Sequence, residues 1–181
     1  MDFAASLKLV GPEIVLSVAA LVLLLASAWA GDKASRIISW LAVAAIVAAG
    51  VLVAPTLCGG AMGPETIAFD GQLRVDAFAA FAKILIFVSG VVVLLIAPPY
   101  FERLNAMRAE FSVLVLLAVT GMSIMVSASD LLALYIGLEL NSLAAYVLAA
   151  FLRNDGRSAE AGLKYFVLGA LASGFLLYGM S

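Results

Sequence analysis

The sequence predicts an all-α fold: a polytopic transmembrane helix bundle of about six helices. Three observations predict it. Of the 181 residues, 65% are hydrophobic and only 12% are charged, whereas a soluble domain is nearly half apolar and about a quarter charged. The mean hydropathy is +1.17, which is more apolar side chain than water can solvate, so the expected solvent is lipid. The apolar residues fall into six runs, at about 12–30, 37–55, 77–97, 111–128, 131–152 and 160–180. Each is close to the roughly 20 residues that a helix needs to cross the hydrocarbon core. The shorter, alternating segments of a membrane barrel are not found.

The punctuation between the runs justifies each element in turn. Pro12 stands in the first turn of helix one, where its missing N–H costs nothing, and Gly31-Asp32 ends that run. The weak charge balance before it, Asp2 against Lys8, and the Pro12-Glu13 pair at its edge mark a span rather than a cleaved leader. Pro55 ends the second run, and 56–75 is the one long loop. Its Gly59-Gly60-Ala61-Met62-Gly63 is not a phosphate loop, because no Gly-Lys-Ser/Thr follows. Pro98-Pro99 stops the third run. A short 128–130 connection separates the fourth from the fifth, and Asn154-Asp155-Gly156 makes the turn before the sixth.

Lys and Arg counts in the loops set the expected orientation. One side carries Lys33, Arg36, Arg103, Arg108, Arg153 and Arg157, and the other carries Lys8 and Arg74. The richer side is expected in the cytoplasm, with the N-terminus and the 56–75 loop outside a bacterial-type inner membrane.

Composition also excludes chemistry. With no histidine, the chain has no imidazole for haem, for most catalytic zinc sites or for a Ser-His-Asp triad. The single cysteine, Cys58, forms neither an internal disulfide nor a four-cysteine cluster and is expected to have no special role. The net charge of −2 argues against a nucleic-acid partner. Any redox centre is therefore expected on a partner, with no metal or cofactor held here.

The informative residues are those that do not belong in lipid. Glu139 lies eight positions from one end of its run and thirteen from the other, roughly 12 Å and 20 Å deep. Such a placement costs about 2.5–3.5 kcal/mol, so the residue is expected to face a bundle interior, a cation or water. Tyr135, Glu139, Ser142 and Tyr146 recur at helical spacing and share a narrow face. The bland reading of Glu139 is a group that only pins helices together. The functional reading is a proton carrier, since burial favours the neutral carboxyl and a nearby cation the charged one.

Lys164 stands about five residues into the sixth run, a depth from which a lysine snorkels to the headgroups. Glu160, four residues earlier, is a possible helical pair. Lys83 lies seven residues into the third run, at a depth similar to that of Glu139. If helices three and five touch, the two are expected to pair. On helix four, Thr120, Ser123 and Ser127 share a face, and such hydroxyls more often bond their own helix or a neighbour than line a wet path. Gly169 with Ser173, and Ala170 with Gly174, read as helix contacts. Glu13 is sufficiently explained by the helix dipole, which favours an acid at an N-terminal end.

Two stretches carry a resemblance. Tyr135-Ile136-Gly137-Leu138-Glu139-Leu140-Asn141-Ser142-Leu143-Ala144-Ala145-Tyr146-Val147-Leu148 and Glu160-Ala161-Gly162-Leu163-Lys164-Tyr165-Phe166-Val167-Leu168-Gly169 resemble the antiporter-like membrane subunits of respiratory complex I. The 25-residue spacing between Glu139 and Lys164 fits as well. Pro12-Glu13-Ile14 and Val75-Asp76-Ala77-Phe78 resemble the same family more weakly. The resemblance implies a proton-translocating NADH:quinone oxidoreductase, with Glu139 and Lys164 in a polar axis that carries protons. For Lys164 this replaces the snorkelling reading. Lys83, Tyr135, Ser142 and Tyr146 would pair with or line that path.

NADH, flavin, iron–sulfur clusters and quinone are implied on other subunits. The implied partners are the other membrane and peripheral subunits and the lipid bilayer. Family members are much longer and carry a second, inverted set of helices, so this chain is expected to be an N-terminal portion. The rival readings are a cation/proton antiporter or a membrane-bound hydrogenase subunit of the same fold, and a structural scaffold.

Overall fold

The structure is a computed structural model that describes residues 7, 9–31, 34–57, 66–104 and 106–181. Lys8, Asp32, Lys33, Cys58 and the glycine-rich 59–63 stretch lie outside the described residues, as does Asp2. Six helices are long and apolar enough to cross a membrane. They are α1 (Gly11–Ala30), α2 (Ser35–Leu57), α3 (Ala77–Arg103), α4 (Glu110–Ser127), α5 (Leu131–Ala149) and α6 (Gly156–Met180). The chain is an all-α membrane bundle.

Where the helices end follows from local chemistry. Asp76 caps α3, its carboxylate accepting from the Ala79 N–H at 2.7 Å, and Asp155 caps α6 by accepting from the Arg157 N–H at 3.0 Å. Both satisfy donors that a helix start leaves open. Prolines were expected to stop α2 and α3, and they do not. Pro55 lies inside α2, while α3 runs through Pro98 and Pro99 to Arg103. Each proline withholds one N–H from the turn before it. The turn after Pro98-Pro99 is held by ring packing of Phe101 on Phe111 and Phe151, at centroid distances of 5.0 and 5.2 Å.

The long loop contains structure of its own. Strands β1 (Thr66–Ala68) and β2 (Leu73–Val75) pair antiparallel, Ala68 opposite Leu73, around a tight turn at Phe69–Gly71. Gly71 sits at φ +101, in the left-handed region that glycine tolerates. The hairpin docks on the connection between α4 and α5, where the Ser129 N–H donates to the Gln72 carbonyl at 2.9 Å. It marks one end of the bundle, called here the hairpin end. α1, α3 and α5 begin there, and α2, α4 and α6 finish there.

α4 is the hub. It packs on α1, α2, α3 and most extensively on α5, and ten of its eighteen residues are buried. Its own Leu116 is fully buried, as are Leu16, Ile46 and Leu94 on the three helices before it. α4 and α5 approach closely at Gly121 and Gly137. A Cβ on Gly121 would lie 2.6 Å from the Gly137 carbonyl oxygen, so only glycine allows the backbones this near. α6 packs on α5, and only Gly162 and Ser173 of its residues are buried. The outward faces carry Leu25, Val51, Phe78, Ile96, Leu168 and Phe175, a surface suited to hydrocarbon.

Candidate functional site

Glu139 stands near the middle of α5, on the half-buried part of its surface. Its Oε1 is buried without a hydrogen-bond partner among the described residues. An acceptor in that state is costly, about 1–3 kcal/mol or more when charged, so Glu139 is not a satisfied structural group within these six helices. Tyr135 and Ser142 are half-buried on the same helix.

Tyr146 is buried in the contact with α6, its ring 4.7 Å from Tyr165 and 5.8 Å from Phe166, both edge-on. A Cβ on Gly169 would clash with the Tyr146 hydroxyl. Gly169 is thus the notch that admits the tyrosine, and the Gly169–Ser173 edge does serve helix contact. Gly174 has open space beside it, with no described atom within 4 Å.

Lys164 is exposed and bonds Glu160 at 2.5 Å on its own helix. The structure does not bring it beside Glu139. Gly162 meets Ala150 and Gly169 meets Tyr146, which sets the register of these antiparallel helices. Lys164 therefore stands level with about residue 149 of α5, ten residues from Glu139. At 1.5 Å rise per residue this is roughly 15 Å along the bundle. A direct proton transfer between the two cannot bridge that gap.

Lys83 corrects two expectations. It does not pair with Glu139. Its ammonium lies 2.6 Å from Glu13 Oε1 on α1. The reason is topological: α3 and α5 each pack on α4 and make no extensive contact with each other. Glu13, for its part, is more than an acid at a helix start. Its side chain is 6% exposed, and that of Lys83 is 4% exposed. The Ser123 hydroxyl donates to the same Oε1 at 2.7 Å, while Oε2 is buried without a partner among the described residues.

Sequence reasoning missed this cluster because Glu13 was judged by its own helix alone. A signal was present. An acid within the first turn of one span and a lysine seven residues into another enter from the same membrane face, and the roughly 6 Å between their depths is within reach of a lysine side chain.

The serine and threonine face of α4 divides three ways. Thr120 donates to the Leu116 carbonyl at 2.8 Å, Ser123 reaches Glu13, and Ser127 Oγ is buried with no partner among the described residues. At the end away from the hairpin, Arg36 bonds Glu102 at 3.0 Å and Arg153 bonds Glu110 at 2.5 Å. Both pairs are exposed, and pairs of that kind add about 0–1 kcal/mol each. Among the described residues no cluster of three or more His, Cys, Asp or Glu is placed to hold a metal ion.

Comparison with known proteins agrees with this architecture. A family profile described as "NADH:quinone oxidoreductase/Mrp antiporter, TM" matches residues 128–181, the segment that holds both Glu139 and Lys164. The NADH-quinone oxidoreductase subunit N of Erythrobacter litoralis is 66% identical over 181 residues, which is all of this chain and 37% of that protein. The subunit N of Rhizorhabdus wittichii is 56% identical, again over all of this chain and 37% of its own length. A chain of respiratory complex I from Thermus thermophilus, solved with bound aureothin, superposes with a TM-score of 0.70 at 28% identity, over 93% of this chain and 35% of that one. The chain thus spans little more than a third of the curated relatives it matches. With six spanning helices and similarity to subunit N proteins along all of its own 181 residues, it belongs to the antiporter-like membrane-subunit family of NADH-quinone oxidoreductase.

Proposed function

We propose that this chain is part of a proton-translocating membrane subunit of NADH:quinone oxidoreductase, and that Glu139 and Lys164 carry protons within it. The observation that carries the reading is Glu139 itself: an acid near mid-span with a buried, unpartnered oxygen, on the segment that the family profile matches. An unpartnered carboxylate in low dielectric is a poor structural pin and a good proton acceptor. Lys164 receives the proton further along the bundle, through water or groups supplied by the rest of the protein. Tyr135 and Ser142 line the path beside Glu139, and Tyr146 holds α6 in register on α5. Transfer across the membrane works against the field, about 2.3 kcal/mol per charge per 100 mV.

In this reading the driving chemistry lies elsewhere. NADH, flavin, iron–sulfur clusters and quinone belong to partner subunits, and quinone reduction there powers proton movement here. The chain is set in the bacterial inner membrane with its hairpin end outward, following the Lys and Arg count.

The test is Glu139→Gln in the full-length protein within its complex, read as protons moved per NADH oxidised in sealed vesicles. Normal assembly with a loss of proton translocation is the expected outcome. An assembled variant that pumps like the wild type would return Glu139 to a purely structural role. The profile's description also includes Mrp antiporters, which favours a second reading as a cation/proton antiporter. Proton movement driven by a sodium or potassium gradient, with no dependence on NADH, would select that one.

A further inference from the structure

Glu13 and Lys83 stand apart from the path just proposed. Gly121 of α4 faces α5, and Ser123, two residues on, is turned about 200° away. The pair bonded to Ser123 therefore lies across α4 from Glu139. The buried Glu13 and the half-buried Glu139 occupy nearly the same level, because Gly121 abuts Gly137 and Asn141 of α5.

The pair also stands between two openings. On one side Lys83, with Thr56 as its polar companion, lines a cavity of about 70 Å³ between the start of α1, the end of α2 and β2. A cavity needs roughly 10–15 Å³ to hold one water, so several fit. On the other side Glu13 lines a cleft of about 380 Å³ whose polar side chains are Glu13, Ser17 and Gln72. Gln72 is exposed on the hairpin, which places the polar mouth of the cleft at that end.

We propose that Glu13 and Lys83 form a second proton-exchanging pair, which passes a proton between water in the Lys83 cavity and water in the Glu13 cleft. The step balances within the pair. An N–H bond of the Lys83 ammonium breaks and an O–H bond forms at Glu13 Oε1, leaving both groups neutral. Water in the cavity returns a proton to Nζ, and Glu13 releases its proton to water in the cleft. Two features favour exchange over a static clasp. Glu13 Oε2 is buried with no partner among the described residues, an open acceptor for a water that enters from the cleft. The Ser123 hydroxyl donates to Oε1, which holds that oxygen in place beside Lys83 Nζ.

Among the described residues the other acid near this level is Glu139, which lies across α4. Arg36, Glu102, Arg103 and Glu110 lie at the other end of α2, α3 and α4. Asp76 is engaged as the cap of α3 and sits 4.0 Å from Arg74, while Asp130 precedes α5 at the hairpin end.

The proposal rests on the proton-carrying reading of the subunit, and the test separates the two. The double variant Glu13→Gln with Lys83→Met is made in the full-length protein within its complex. It removes both titratable groups and leaves no lone buried charge. Protons moved per NADH oxidised are compared with wild type, with Glu139→Gln, and with Glu13→Asp, which keeps a carboxyl. The expected result is an assembled double variant whose ratio falls toward that of Glu139→Gln, with Glu13→Asp retaining more. A wild-type ratio in the double variant alone overturns this proposal and leaves the Glu139 path standing. A wild-type ratio in Glu139→Gln as well overturns both. Should the double variant fail to assemble, the wild-type complex decides. Ordered water density at Glu13 Oε2 and at Lys83 Nζ supports exchange, and a dry pair rules it out.

Discussion

Glu13, Lys83 and Glu139 show how differently lipid-embedded charges can be accommodated. Glu13 and Lys83 neutralise each other across two helices at 2.6 Å, whereas Glu139 has no counter-charge among the described residues. Two stability predictions follow at this scale. Removing one member of a buried pair strands the other and costs about 3–5 kcal/mol, while replacing both by apolar or neutral groups of similar volume is often close to neutral. Lys83→Met alone is therefore expected to lower the thermal stability of the assembled protein more than Glu13→Gln with Lys83→Met. Parallel melting of the two variants checks the order. Glu139→Gln should leave stability near wild type, because Glu139 Oε1 has no hydrogen bond among the described residues to lose.

Among the elements, α4 and α5 form the tightest joint, and it depends on two hydrogens in place of two methyl groups. A Cβ on Gly137 would lie 2.8 Å from the Gly121 carbonyl oxygen and 2.9 Å from the Met125 backbone nitrogen. Those neighbours are backbone and cannot swing aside. Gly137→Ala is expected to force the helices apart and destabilise by about 1–3 kcal/mol, the usual range for overpacking. Gly174→Ala, which meets open space, should have almost no effect. Yield of folded protein after mild heating separates them. The 3.6-residue arithmetic correctly placed Tyr135, Glu139, Ser142 and Tyr146 on one face, but not what that face would meet. Tyr146 found the Gly169 notch on α6, a partner that no property of α5 alone reveals.

For the whole molecule, the consequences are orientation and incompleteness of packing. α6 buries only two residues and offers Leu168, Leu171 and Phe175 outward, while Lys164 on it bonds only Glu160 among the described residues. An apolar face of this kind suits lipid or the surface of another helix. Orientation is open to a direct check in a Cys58→Ala background. A membrane-impermeant thiol reagent added outside intact cells should label Ser129→Cys at the hairpin end and spare Asn154→Cys. The reverse pattern would invert the assignment made from Lys and Arg.

The sequence by itself determined that this chain lives in lipid, that it crosses about six times, and that Glu139 and Lys164 deserved attention. These conclusions follow from local quantities: hydropathy summed along a run, the length a helix needs, and the cost of a charge within it. The recognisable wording of α5 and α6 added the family. Tertiary structure alone decided which charges meet. Lys83 turned to Glu13 and not to Glu139, Lys164 stayed roughly 15 Å from Glu139 along the bundle, and α3 continued through two prolines to reach a phenylalanine cluster. Each outcome depends on which helices are neighbours and at what rotation. In lipid, helix periodicity carries little of that information, because the outward and inward faces are almost equally apolar.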